Sequence, residues 1–176
     1  MRTNQKIKWG VIGRGGIARG RTIPEGIIPA NNARLAAVYD VDPKSNAEVA
    51  RQFGVEPLSG LNEVLEKNVD AIYIATPPAL HPAYTKQCAQ AGKHVLCEKP
   101  LALSVADAET MIAACQKAGV RLGTAFMMRF LAQHQTALQM IRQGKIGKPV
   151  FARTQLSCWY PPMPNAWRQD PKPGGG

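Results

Sequence analysis

The chain has 176 residues, 45% of them hydrophobic and 19% charged, with a formal net charge of +10. That length suits one domain with a fragment of a second, and the apolar fraction is enough for a packed core, which excludes a disordered polymer. No apolar run reaches the roughly 18 residues a membrane helix needs, and Met1–Lys6 lead into a short apolar strand with no signal-peptide core, so a cytoplasmic protein is expected.

Strand and helix patterns alternate along the chain. Ile7–Ile12 reads as a buried strand, followed by a helix that opens at about Gly15 and runs to Pro24 and Pro29. Leu35–Tyr39 is a second strand ending at Asp40. Pro43 suits the first turn of the next helix, which Gly54 closes. Ala71–Ala75 is a third strand, closed by Thr76-Pro77-Pro78, and residues 79–91 form a helix that stops at Gly92. His94–Cys97 is a strand that delivers Glu98-Lys99-Pro100.

Ser104 caps a further helix, with Asp107 three residues on and Ala108, Met111, Ile112 and Cys115 as its apolar stripe. Arg121–Ala125 is a short strand. Phe130, Leu131, Leu138 and Ile141 keep helical spacing up to Gly144, and Pro149–Leu156 reads as a strand of a different sheet. The βαβα order predicts an α/β fold: a doubly wound parallel sheet of Rossmann type over residues 1–123, then the start of an α+β substrate domain over 124–176.

Two places carry chemistry. Gly13-x-Gly15-x-x-Ala18 follows a strand and opens a helix. Gly13 permits the tight turn, and Gly15 lets backbone approach a pyrophosphate. Ala18 allows close helix–strand packing, while Gly16 and Ile17 begin a helix whose N–H groups favour phosphate. Asp40 ends the second strand, where a carboxylate accepts from both adenosine ribose hydroxyls and repels a 2′-phosphate, which favours NAD over NADP, a preference softened by Arg14, Arg19 and Arg21 close by in sequence. Asp40 also suits a plain turn with Asp42 and Pro43.

Thr76, Pro77 and Pro78 form a rigid wall at the ligand edge, with His81 as a cofactor contact or a structural histidine. Lys99 is the catalytic candidate: partial burial at the sheet edge would bring its ionisation towards a useful range. Glu98 beside it orients a ribose or opposes that shift, and Pro100 locks the backbone after it.

Residues 1–109 carry thirteen basic and eleven acidic groups; the remainder carries nine basic groups and only Asp170. The basic residues are dispersed and not interleaved with aromatics, so a missing partner surface explains the bias better than nucleic acid. Cys88, Cys97, Cys115 and Cys158 form no C-x-x-C pair, which argues against a zinc site or a redox dithiol and for inert thiols.

Taken as an ordered series, Val11–Ala18, Tyr39-Asp40-Val41-Asp42, Ala75-Thr76-Pro77-Pro78 with His81, and Ala91–Pro100 resemble the Gfo/Idh/MocA oxidoreductase family. Met128-Arg129-Phe130, Gly144–Gly147 and Trp167-Arg168 fit the same pattern. The resemblance implies NAD(P)-linked oxidation or reduction of a sugar, inositol or related polyol, in a homo-oligomer. It implies that Lys99 hydrogen-bonds the reacting hydroxyl and that the Lys99–Pro100 bond is cis.

It further implies that Met128, Arg129, Trp167 and Arg168 lie near substrate, with Met127 or Met128 in place of the usual Asn. In the family, a Gly-Gly-Gly stretch such as Gly174-Gly175-Gly176 leads into an Asp-x-x-x-His helix bearing the catalytic histidine. On that comparison the chain corresponds to roughly the first half of a family enzyme. It is expected to bind cofactor and turn over poorly alone; the alternative is a non-enzymatic NAD(P)-binding module or partner-dependent subunit.

Overall fold

The computed structural model describes residues 5–13, 15–157, 159, 161–162 and 169. Five parallel strands form one sheet: β1 (Ile7–Ile12), β2 (Ala33–Tyr39), β3 (Ala71–Ile74), β4 (His94–Cys97) and β5 (Leu122–Thr124). Their order is β2-β1-β3-β4-β5. The chain moves outward from β1 to β2, then returns to the other side of β1 for β3. The order therefore reverses between β1 and β3, where a doubly wound sheet opens its crevice. The expected Rossmann-type fold is the observed one.

Side chains alternate across each strand, so the sheet feeds two cores. Ile12, Ile72, Ile74, Val95 and Cys97 point into one, packed with Val64, Cys88 and Met111. These three come from α2 (Leu61–Glu66), α3 (His81–Gln90) and α4 (Val105–Lys117). Val11, Val38 and Tyr73 point into the other. There they meet Ala18, Ile23 and Ile27 of the first helix and Val49 and Ala50 of α1 (Pro43–Phe53). Burial of a side chain of this size contributes about 1.5–3 kcal/mol, so the two cores dominate the stability.

The terminating residues act as expected. Asp42 precedes Pro43 at the start of α1, and Gly54 closes it in the left-handed region, φ +67°. The Ser104 hydroxyl accepts from the Asp107 N–H at 3.0 Å, a cap worth about 1 kcal/mol. The Lys99–Pro100 bond is cis.

Four features differ from the sequence reading or add to it. The first helix, Ala18–Ile27, passes through Pro24 and ends before Pro29, and it is a π-helix. Proline has no N–H and its ring collides with the carbonyl four residues back in an α-helix. The wider turn, whose Ile28 N–H donates to Ile23 O at 3.0 Å, accommodates it. Helix α2 has no counterpart in the sequence reading, because six residues carry too little periodicity. Ile112 is 43% exposed, so the buried stripe of α4 narrows to Met111 and Cys115.

Finally, residues 149–157 pair with no strand among the described residues. Val150 is 92% exposed and Phe151 81%: β propensity alone makes no strand without a ladder partner. The helix expected before them is α5 (Ala132–Arg142), none of whose residues is buried. Among the described residues no helix is long and apolar enough to cross a membrane.

Candidate functional site

The register of the sheet brings the site together. Ile12 pairs with Tyr39 and with Ile74, Ile74 with Cys97, and Cys97 with Thr124. The next residue of each strand therefore falls on one line across the carboxyl edge: Asp40, Gly13, Ala75, Glu98 and Ala125. Backbone bonds tie this line: Gly13 N–H to Tyr39 O at 2.9 Å, Ala75 N–H to Ile12 O at 2.8 Å, Glu98 N–H to Ile74 O at 2.9 Å, and Ala125 N–H to Cys97 O at 2.8 Å. All five residues line a cleft of about 980 Å³.

The glycine turn closes one wall of that cleft. Gly13 has φ +84°, and a Cβ there would lie 2.7 Å from the Ala75 carbonyl carbon. Only glycine meets both conditions. A Cβ on Gly15 would come 3.1 Å from Ala75 O, whereas one on Gly16 would meet nothing within 4 Å. The chain is thus narrow against the sheet and open on the cleft side. Gly15, Gly16 and Ile17 line the cleft while Ala18 is buried beneath them. A helix start supplies N–H groups without intrahelical acceptors, which suits an anion.

Asp40 sits at the far end of the line, and its Oδ1 accepts from the Asp42 N–H at 3.0 Å. Arg19 lines the cleft nearby. Its Nε donates to Gln52 Oε1 at 2.9 Å and its guanidinium lies 3.5 Å from Glu48, both on α1. Tyr84, also on the wall, has its phenol ionisation raised by burial and then by Tyr39 and Asp40.

Thr76 and Pro77 line the cleft, but Pro78 is buried behind them. His81 is 0% exposed and absent from the wall. Its Nδ1 lies 3.0 Å from Pro100 O and its Nε2 2.9 Å from Thr76 O. Both nitrogens face backbone carbonyl oxygens, so the buried ring sits as a staple between the loop after β3 and the loop after β4, away from the cleft wall. Pro100 likewise serves that staple rather than the wall.

Glu98 and Lys99 both line the cleft. Lys99 is exposed rather than partly buried. Met128 lies on the wall beside Phe126 and Met127, whereas Arg129 is exposed outside it. Trp167 and Arg168 lie outside the described residues. Motif reading missed Tyr39, Gln52, Leu80 and Tyr84 as wall residues; Tyr39 follows from the strand register, whereas the other three lie on helical segments and reach the wall only through tertiary packing.

A glycine turn on strand one, a carboxylate closing strand two and a crevice at the reversal of strand order define a dinucleotide-binding Rossmann domain. The cleft's narrow glycine wall and helix start fit such a ligand. The chain belongs to the Gfo/Idh/MocA oxidoreductase family: residues 7–126 match its NAD-binding Rossmann fold and residues 134–176 its C-terminal domain.

It is 37% identical over 172 residues to a 1,5-anhydro-D-fructose reductase of Ensifer adhaerens, covering 96% of this chain and 51% of that protein. The aldose-aldose oxidoreductase of Caulobacter crescentus, solved with glycerol, superposes with a TM-score of 0.84 at 32% identity, over 98% of this chain and 52% of that one. The WlbA dehydrogenase of Bordetella pertussis, solved with NADH and UDP-GlcNAcA, gives 0.73 at 35% identity, over 84% and 43%. The chain spans about half the length of the curated relatives it matches.

Proposed function

We propose that the whole protein is an NAD(P)-dependent oxidoreductase acting on a carbinol or carbonyl of a sugar or polyol. The observation that carries this reading is the line Asp40, Gly13, Ala75, Glu98, Ala125 on the floor of one cleft, with Lys99 beside it. When bound, the nicotinamide supplies hydride exchange. The chain's own residues seat the pyrophosphate at Gly13–Ala18, hold the adenosine ribose at Asp40, and shield the ring with Thr76 and Pro77. Lys99 hydrogen-bonds the reacting oxygen and assists its proton transfer. Met128 and its neighbours line the approach to that oxygen, with Arg129, Trp167 and Arg168 on the substrate side.

NAD is the preferred cofactor. A 2′-phosphate would meet the Asp40 carboxylate, while the Arg19 guanidinium on the cleft wall is engaged by Gln52 and Glu48. Residues 1–123 act as the cofactor half and 124–176 begin the substrate half of a cytoplasmic homo-oligomer, a location in keeping with the buried free thiols of Cys88, Cys97 and Cys115.

Titration with NADH and NADPH, following nicotinamide fluorescence, tests the cofactor assignment. The wild-type chain binds NADH more tightly, and Asp40→Ala weakens NADH by about tenfold while narrowing the gap to NADPH. An NADPH preference that survives the substitution refutes the role given to Asp40.

A further inference from the structure

Tyr73 is the one polar side chain of β3, whose sequence is Ala-Ile-Tyr-Ile. It is 1% exposed and packed among Val11, Ile23 and Val49. A phenol in such surroundings needs partners for its oxygen. It has two. The Thr22 hydroxyl donates to it at 3.0 Å, and it donates to Glu98 Oε1 at 2.6 Å. The other Glu98 oxygen accepts from the Lys99 N–H at 3.2 Å. A chain of hydrogen bonds therefore runs from the first helix, through the central strand, to the loop that carries Glu98 and Lys99.

Each link has a reason in the sequence. Along the π-helix the buried positions Ala18, Ile23 and Ile27 recur at intervals of five and four. That period turns Thr22, next to Ile23, towards the sheet, where its hydroxyl reaches the phenol. Tyr73 lies two residues before Ala75 on the carboxyl edge, in register with Val11 and Leu96, so its long side chain reaches forward to Glu98. Burial and the carboxylate's charge raise the phenol's ionisation far above its ordinary value, so it remains a donor.

We propose that Tyr73 is a positioning residue: its hydroxyl, itself oriented by Thr22, fixes the rotamer of Glu98, and Glu98 in turn presents a set carboxylate to the cofactor beside Lys99. The proposal rests on the cofactor reading above. Without the phenol, Glu98 is held from one side only, by its neighbour's N–H. The arrangement also joins the helix that seats the pyrophosphate to the loop that meets the reacting end.

The test uses the 176-residue chain with Tyr73→Phe, Glu98→Gln and the double variant. Two readouts are taken: NADH affinity, and exchange of the Lys99 amide by NMR in the absence of cofactor. Tyr73→Phe should weaken NADH about tenfold, and the double variant should bind no worse than Glu98→Gln alone. Lys99 exchange should accelerate in Tyr73→Phe. A generic loss of stability would lower the melting temperature without this coupling.

Affinity within about twofold of wild type, effects that simply add, or unchanged Lys99 exchange would each overturn the proposal. Should Tyr73→Phe not fold, Thr22→Val reads the chain from its other end: faster Lys99 exchange supports it and unchanged exchange overturns it. A wild-type chain blind to both NADH and NADPH refutes the cofactor reading instead, while the exchange data still decide whether Tyr73 holds Glu98.

Discussion

At the scale of single residues, the site is bordered by groups that burial keeps neutral. Cys97 ends β4, one residue before Glu98, and burial followed by the Glu98 charge pushes its thiol up to about 12. Burial does the same for Cys88, also to about 12. An unfolded thiol ionises near about 8.5. Between those values the folded chain keeps protons that the unfolded chain releases, so stability falls as pH rises. The full contribution is present below about pH 8.5, and each thiol removes up to about 1.4 kcal/mol per pH unit above it. Urea midpoints at pH 8, 10 and 11 should decline, and less steeply in Cys88→Ala/Cys97→Ala. Equal slopes for the two chains would mean that these thiols ionise in the fold. Neither thiol should react with a disulfide reagent at pH 8 until the chain unfolds, because the thiolate is the reactive form.

At the scale of elements, legibility follows how much a segment's signal depends on its own residues. Strand β3 stands out because it is buried throughout, Ala-Ile-Tyr-Ile, while β1 and β4 show themselves by the apolar residues at their carboxyl ends, Val11-Ile12 and Val95-Leu96-Cys97. Helix α1 is bounded by Asp42-Pro43 and Gly54, and α4 by Ser104, all local signals. The Gly13 turn and the Glu98-Lys99-Pro100 loop were legible for the same reason. The π register was not, since it comes from packing a Pro24-bearing helix against the sheet. The contacts of Tyr73 and His81 were not legible either, because they join residues 25 and 19 positions away. The π-helix offers a sharp test. Gly26 lies in its last turn, and a Cβ there would meet nothing within 4 Å at an ordinary backbone angle. Gly26→Ala restricts only the unfolded chain and should stabilise by about 0.4–1 kcal/mol. A destabilised variant in urea unfolding would show that the register requires glycine there.

At the scale of the whole molecule, burial and exposure divide along the sequence. Among the described residues every buried one lies between Gly10 and Cys115, and every residue of the cleft floor lies at or before Ala125. Beyond Thr124, by contrast, Phe130, Ile146, Val150, Phe151, Leu156 and Trp159 are exposed. Exposed apolar side chains in such number mark a surface that binds apolar probes or other chains. The first part should then carry both the fold and the cofactor site, while the second contributes apolar surface and little stability. A chain of residues 1–126 makes the comparison. It should melt within about 5 °C of the 176-residue chain, because no buried side chain is lost. It should keep NADH affinity within about threefold, since among the described residues only Met127 and Met128 leave the wall. Its binding of an apolar fluorescent dye should fall well below that of the longer chain. A shorter chain that fails to fold would mean that residues 127–176 contribute to the core through contacts other than the burial described. One that folds but loses NADH would mean that the methionine wall, rather than the floor line, sets cofactor affinity.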